Sequence, residues 1–233
     1  MSLPELLIVV PTRGRPQNIR RMLAAWTATG AQGVAELLIA WDADDPAADQ
    51  YADIAAGAGL RRHVNRSQTP MVPTLEAALA PLVDQYPFLG CFGDDHLPRS
   101  AGWAAQLVDG LRHLGTGIVY GNDLHRGPDL PTAWAMTADI VRLLGRMVPA
   151  PVEHLYSDRS VLDLGRAARC IRYLPDTVIE HLHYAAHKAV KDAGYQRVNA
   201  AARYRADRVA YLRWRDRHMQ RDVATIRRHR SRS

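Results

Sequence analysis

Residues 93–96 read Gly-Asp-Asp-His, after the apolar run 87–92 and just before Pro98. Two adjacent carboxylates repel each other and favour a cation beside them. Hard oxygen donors select Mg²⁺ or Mn²⁺, and the imidazole of His96 tilts the choice toward Mn²⁺. A solvated turn after a strand is the bland alternative, and this stretch alone leaves both open. A second source of ligands is the run 178–183, which holds His181 and His183. Alternation in an extended segment sets these two on one face, about seven ångströms apart. The run can therefore offer one or two imidazoles to a metal.

Groups of this kind must be delivered to one place, and the apolar pattern indicates how. Residues 6–10, Leu-Leu-Ile-Val-Val, form a continuous apolar run, as in a strand covered on both faces of a parallel sheet. Pro11-Thr12-Arg13-Gly14-Arg15-Pro16 breaks it, and a helical pattern follows over 18–26. That loop sits at the carboxyl end of the first strand, where open α/β sheets bind ligands. Arg13 and Arg15 are candidates to meet a diphosphate there, or are plain surface arginines. A second strand over 36–41 ends in Asp42-Ala43-Asp44-Asp45-Pro46. Asp45 is the expected N-cap of a helix over 47–56, which leaves Asp42 and Asp44 as candidates to accept from a base or ribose.

Further strands are expected over 60–64, 87–92, 117–121, 132–136 and 170–174, with helices over 74–82, 99–114, 140–146 and 158–168. Strands alternating with helices, each strand polar at its carboxyl end, indicate an α/β fold with one active edge.

Composition limits the rest. With 233 residues, 47% of them hydrophobic, the chain is one large domain or a domain with an appendage. Its two cysteines, Cys91 and Cys170, lack metal-site spacing and read as reduced core residues of a cytosolic protein. Met1–Glu5 carries no basic leader and no stretch reaches transmembrane length, so the expectation is a soluble, cytoplasmic protein. The charge is concentrated at one end. Residues 203–233 hold eleven arginines against three aspartates, a net of +8, whereas the whole chain is +6. From Tyr195 onward the pattern is helical without Gly or Pro. Val209, Leu212, Met219, Val223 and Ile226 form an apolar stripe, expected to pack on the domain or on a second copy. Arg205, Arg208, Arg213, Arg215, Arg217, Arg221, Arg227 and Arg228 then face outward. Such a face is a solvated helix surface, or it meets nucleic acid or an anionic membrane. Tyr211 and Trp214 suit either partner, and the scarcity of bulky Leu and Phe leans toward DNA.

Pro-Thr-Arg-Gly-Arg-Pro after the first strand, an Asp-rich end to the second, Gly-Asp-Asp-His after the fourth and a late His-Leu-His occur in one order. Over residues 5–198 this order resembles a glycosyltransferase of the GT-A fold. It is most similar to the family-two branch and, within it, to phage or bacterial enzymes. The resemblance implies a Rossmann-like, mixed but mostly parallel sheet flanked by helices over 1–198, with a basic helical tail over 199–233. It implies a nucleotide-sugar donor, most commonly carried on UDP, and Mn²⁺ or Mg²⁺. Pro11, Thr12, Arg13, Arg15, Asp42 and Asp44 then fall at the nucleotide. The Asp-x-Asp position falls on Asp94-Asp95-His96, with Asp95 as ligand and Asp94 behind it. The late metal-binding histidine maps onto His181, with His183 as the alternative. The catalytic base of inverting members maps onto Asp158, with Glu153 and Asp163 as its nearest rivals and a helix N-cap as its structural role. Asp123 is placed to touch donor or acceptor. Some phage enzymes of this type decorate modified bases in DNA, which would place the protein in the host cytoplasm.

Two other functions compete. A sugar nucleotidyltransferase also uses strand-end acids, although the first loop lacks a Gly-rich, Lys-containing phosphate cradle. A non-catalytic nucleic-acid-binding module would account for the tail but not for the acidic rim.

Overall fold

The computed structural model describes residues 4–232, with Ala193 through its backbone only. Residues 1–3 and Ser233, which end the two segments expected from sequence, lie outside the described residues. The chain builds β1 (Leu6–Pro11), α1 (Pro16–Ala28), β2 (Ala35–Asp42), α2 (Ala48–Ala58), β3 (Arg61–Asn65), α3 (Met71–Leu79) and β4 (Phe88–Cys91). It continues through β5 (His96–Pro98), α4 (Trp103–Leu114), β6 (Ile118–Asn122), β7 (Trp134–Thr137) and α5 (Ala138–Leu144). The last elements are α6 (Ser157–Ala168), β8 (Ile171–His181), α7 (Ala193–Val198), α8 (Ala201–Arg217) and α9 (Met219–Arg230).

The strands form one eight-stranded sheet in the order β3-β2-β1-β4-β7-β6-β8-β5. Strands β3, β2, β1 and β4 are parallel; β7 runs antiparallel between β4 and β6; β6 and β8 are again parallel. The sheet is covered on both faces, which is why Leu6 to Val10 is apolar without alternation. One core lies under α1, α2 and α4, the other under α3, α5, α6 and the tail helices.

Two local features aim the site. Strand β5 pairs antiparallel with β8 and sets His96 opposite His181. Strand β8 also slips its register against β6, from Gly121↔Leu174 to Asn122↔Val178. A side chain at Gly121 would meet the Thr177 carbonyl at 2.2 Å, so only glycine admits the slip.

Three expectations need correction. Asp45 is not the N-cap of α2; Ala47 holds that position. The Asp45 carboxylate instead accepts from the backbone N–H of Ala47 at 2.9 Å and of Gly14 at 2.7 Å, tying the first loop to the second. The helix expected from residue 99 begins at Trp103, because 96–98 are drawn into the sheet beside β8. The tail is three helices rather than one run. The Asn199 side chain donates to the Tyr195 carbonyl at the end of α7, Ala200 is extended, and the chain bends at His218. Helix α8 docks through Asp207, Tyr211 and Trp214, so Val209 of the expected stripe is 55% exposed, while Tyr211, Trp214, Val223 and Ile226 are buried in the core of the sheet itself. The eight tail arginines expected to face outward are all exposed. Among the described residues, no helix is long and apolar enough to cross a membrane.

Candidate active site

The carboxyl ends of β1, β2 and β4 open onto a cleft of about 570 Å³. It is lined by the first loop, Asp42, the stretch 91–96, the turn before α6, His181 and α7.

At its floor, the tight turn after β4 presents Asp94 and Asp95 in opposite directions. Asp94 turns inward, accepting from Thr12 Oγ1 at 2.8 Å and pairing with Arg15 Nη1 at 3.1 Å. Burial, with the Asp95 charge beside it, pushes its carboxyl up to about 6. Asp95 turns toward the histidines: its Oδ1 lies 3.3 Å from His96 Nδ1 and its Oδ2 3.3 Å from His181 Nε2. Burial alone would raise the Asp95 carboxyl, but bonds to His181 and His96 hold it well below the usual range. His181 is buried enough to favour its neutral form. The pair therefore presents one charged carboxylate and neutral imidazole, the forms a metal requires.

Asp95, His96 and His181 each offer a ligand atom, all within 4.8 Å of one another. Three further observations fit a cation here. Among the described residues, the buried His96 Nε2 and His181 Nδ1 have no hydrogen-bond partner. A Cβ at Gly93 would lie 2.7 Å from Asp95 Oδ1 and 2.9 Å from His96 Nδ1, so glycine keeps that space open. The donor set of one carboxylate and two imidazoles suits Mn²⁺ better than Mg²⁺. His183 stands outside the cluster, its Nδ1 accepting from the Ala185 N–H at 3.2 Å.

The arginines of the first loop are already engaged. Arg13 is held by Asp42 at 2.8 Å and by Asp44 at 2.7 Å. Asp42 also accepts from Asn65 Nδ2 and the Thr69 N–H, so both its oxygens are committed; Asp44 is exposed and does not line the cleft. Arg15 is clamped by both oxygens of Asp192, each at 2.7 Å, and lies over the ring of Tyr195. The Tyr195 hydroxyl in turn donates to Asp95 Oδ2 at 2.6 Å. Residues 192–198 thus form a strap across the cleft mouth. The strap adds Arg197 to the lining, and among the described residues this guanidinium has no ion pair. Sequence reasoning missed Asp192, Tyr195 and Arg197. The one local signal was Asp192, which caps α7 by accepting from the Tyr195 N–H at 3.0 Å.

Asp158 lines the same cleft at the start of α6. It is not the N-cap: Tyr156 holds that position with φ +65°, and the Asp158 carboxylate accepts from the next N–H, of Arg159, at 2.7 Å. Burial raises its pKa above the ordinary carboxylate value of 3.8. Its rivals are occupied elsewhere, Glu153 by Arg203 and Asp163 by Arg159 and Tyr211. The turn carrying Asp158 is fixed from the tail. The buried Asp207 of α8 accepts the backbone N–H groups of Glu153, His154 and Leu155 at 2.8–3.1 Å. Asp123 is committed to its own loop; its oxygens accept from the backbone N–H groups of His125, Arg126 and Gly127 and from the Thr132 hydroxyl.

The fold has solved counterparts. The mannosyltransferase PcManGT from Pyrobaculum calidifontis, in complex with GDP-Man and Mn²⁺, matches at a TM-score of 0.69 with 16% identity, over 96% of this chain and 69% of that one. Residues 1–349 of S. aureus TarS in complex with UDP match at 0.58 with 11% identity, over 75% of this chain and 59% of that one. The same TarS segment with UDP-GlcNAc matches at 0.59 with 10% identity, over 83% of this chain and 64% of that one. The chain has the GT-A fold. No family model matches the sequence, and no curated protein does.

Proposed function

We propose that this protein is a metal-dependent glycosyltransferase that moves a sugar from a nucleoside-diphosphate sugar to a hydroxyl acceptor with inversion. The observation that carries the reading is one cleft holding the Asp95–His96–His181 cluster on one side and Asp158 on the other. The GT-A fold supports it, as do the GDP-Man, Mn²⁺ and UDP complexes of its solved counterparts.

Each group has a role. Asp95, His96 and His181 would hold Mn²⁺ or Mg²⁺, which when bound neutralises charge developing on the departing diphosphate. Arg197, which has no ion pair among the described residues, is the cation for that diphosphate. Pro11, Thr12 and Asp42 line the nucleotide end, with Arg13 and Arg15 held rigid behind them. Asp158 takes the proton of the acceptor hydroxyl as its oxygen bonds to the anomeric carbon. The bond from that carbon to the diphosphate breaks on the opposite face, which gives inversion. UDP is the carrier expected from the resemblance, and GDP is the other to test.

A nucleic-acid acceptor, as a phage enzyme acting in the host cytoplasm would require, is supported by the exposed arginines of α8 and α9. Binding through such a face weakens steeply with salt. An anionic membrane is less favoured, because Tyr211, Trp214, Val223 and Ile226 are spent on the core.

The test is incubation with UDP- and GDP-sugars, with and without Mn²⁺, measuring the nucleoside diphosphate released. Release should require Mn²⁺. Asp158→Asn should lower it by roughly 10²–10⁴-fold while nucleoside-diphosphate binding persists. Pyrophosphate release would instead identify a nucleotidyltransferase.

A further inference from the structure

A second cavity, of about 430 Å³ and more open, adjoins the main cleft. Asp158, Tyr156 and Leu155 line both cavities. We propose that this cavity is the acceptor subsite and that it takes a sugar ring carrying a phosphate. The proposal rests on the transferase reading above, which makes Asp158 the group that meets the acceptor hydroxyl.

One wall is aromatic. Tyr156 stacks on Tyr211 with ring centroids 5.1 Å apart and an interplanar angle of 18°, and Tyr204 meets Tyr156 at 5.6 Å. Tyr204 is 49% exposed. A tyrosine face left open beside a cavity offers a flat apolar platform with a polar rim, which suits a sugar ring. Tyr156 keeps a positive φ to stand there, a conformation that a bulky residue rarely adopts. Two of the three rings come from α8, so the tail supplies part of the wall.

The lining also holds two arginines, and one of them is committed. Arg159 is paired with Asp163 at 3.1 Å. Arg126 has no ion pair among the described residues. Its backbone is nevertheless fixed, because Asp123 binds the N–H groups of His125, Arg126 and Gly127. A rigidly based, unpaired guanidinium facing a cavity presents a planar fork that matches phosphate. A neutral sugar would offer that fork no anion to chelate. The phosphate could belong to a free sugar phosphate or to the sugar–phosphate backbone of a strand, and the chemistry at Arg126 is the same.

The probes are glucose 6-phosphate, glucose and octathymidylate. They are titrated calorimetrically into the full chain, alone and saturated with Mn²⁺ and a nucleoside diphosphate. Glucose 6-phosphate should bind roughly tenfold or more tightly than glucose. Arg126→Ala should remove that margin and Arg126→Lys should recover only part of it, whereas Tyr204→Ala should weaken glucose and glucose 6-phosphate alike and Tyr204→Phe should keep most of the binding. Competition by octathymidylate on the saturated protein would assign the phosphate to a strand; failure to compete would assign it to a free sugar. Equal binding of glucose and glucose 6-phosphate, or binding indifferent to Arg126 and Tyr204, would overturn the proposal. Absence of nucleoside-diphosphate binding would instead overturn the transferase reading, and the titrations on the protein alone would still decide the cavity.

Discussion

The phenolic hydroxyl of Tyr195 donates to Asp95 Oδ2 at 2.6 Å, across 100 residues of sequence. The same oxygen lies 3.3 Å from His181 Nε2. Tyr195 therefore fixes the rotation of the carboxylate that heads the metal cluster. Supporting bonds of this kind commonly govern how well first ligands bind. Tyr195→Phe should weaken Mn²⁺ binding by roughly tenfold, read from the paramagnetic resonance of free Mn²⁺. Unchanged affinity would reduce Tyr195 to a packing residue.

Gly93 invites a sharper change. A methyl group there would enter the space between Asp95 Oδ1 and His96 Nδ1. Gly93→Ala should lower Mn²⁺ affinity by roughly 10–100-fold and cost about 1–3 kcal/mol of stability as overpacking. Titration with Mn²⁺ and urea unfolding measure the two separately. Native Mn²⁺ affinity in this variant would argue against the assigned ligands.

The pH dependence follows from Asp158. A base works only when deprotonated, and burial raises the Asp158 pKa above 3.8. Turnover should therefore fall as pH drops through a value higher than that of an ordinary carboxylate. The limb should appear in kcat/KM, with nucleoside-diphosphate affinity measured in parallel to separate out the metal ligands. A limb at the ordinary carboxylate value would mean that Asp158 is not the titrating base.

Asp207 is a test of the tail. Its two oxygens take three backbone N–H groups, those of residues 153 to 155. An asparagine would turn an amide N–H₂ toward donors. Asp207→Asn should cost about 1–3 kcal/mol, seen in urea unfolding, and should reduce turnover by displacing the turn before Asp158. Full stability would mean that the turn holds itself.

Much of this was legible in sequence where the signal is local. Leu6 to Val10 announces a strand buried on both faces, and Gly93 to His96 announces a charged tip. The start of α6 at Ser157 was legible too, from the run into Asp158. What escaped is what depends on partners distant in the chain. Asp45 looks like a cap until Gly14 is seen to use its carboxylate. Arg15 looks like a free phosphate ligand until Asp192, 177 residues away, clamps it. Asp207 lies outside the apolar stripe read from sequence, and no pattern within α8 reveals the three N–H groups that it satisfies. The bend at His218 carries no Gly or Pro; docking of Trp214 and Ile226 into the core decides it.

The centre is assembled from widely separated parts of the chain: Thr12 and Arg15 come early, and Asp192, Tyr195 and Asp207 come late. On the ribosome, the strands β1 to β4 emerge and can collapse well before these late residues do. A nascent or prematurely terminated chain would thus hold most of its sheet yet lack the strap, the fixed Asp158 turn and one wall of the second cavity. Catalytic competence would then report that translation has passed residue 207, and unfinished copies would stay silent.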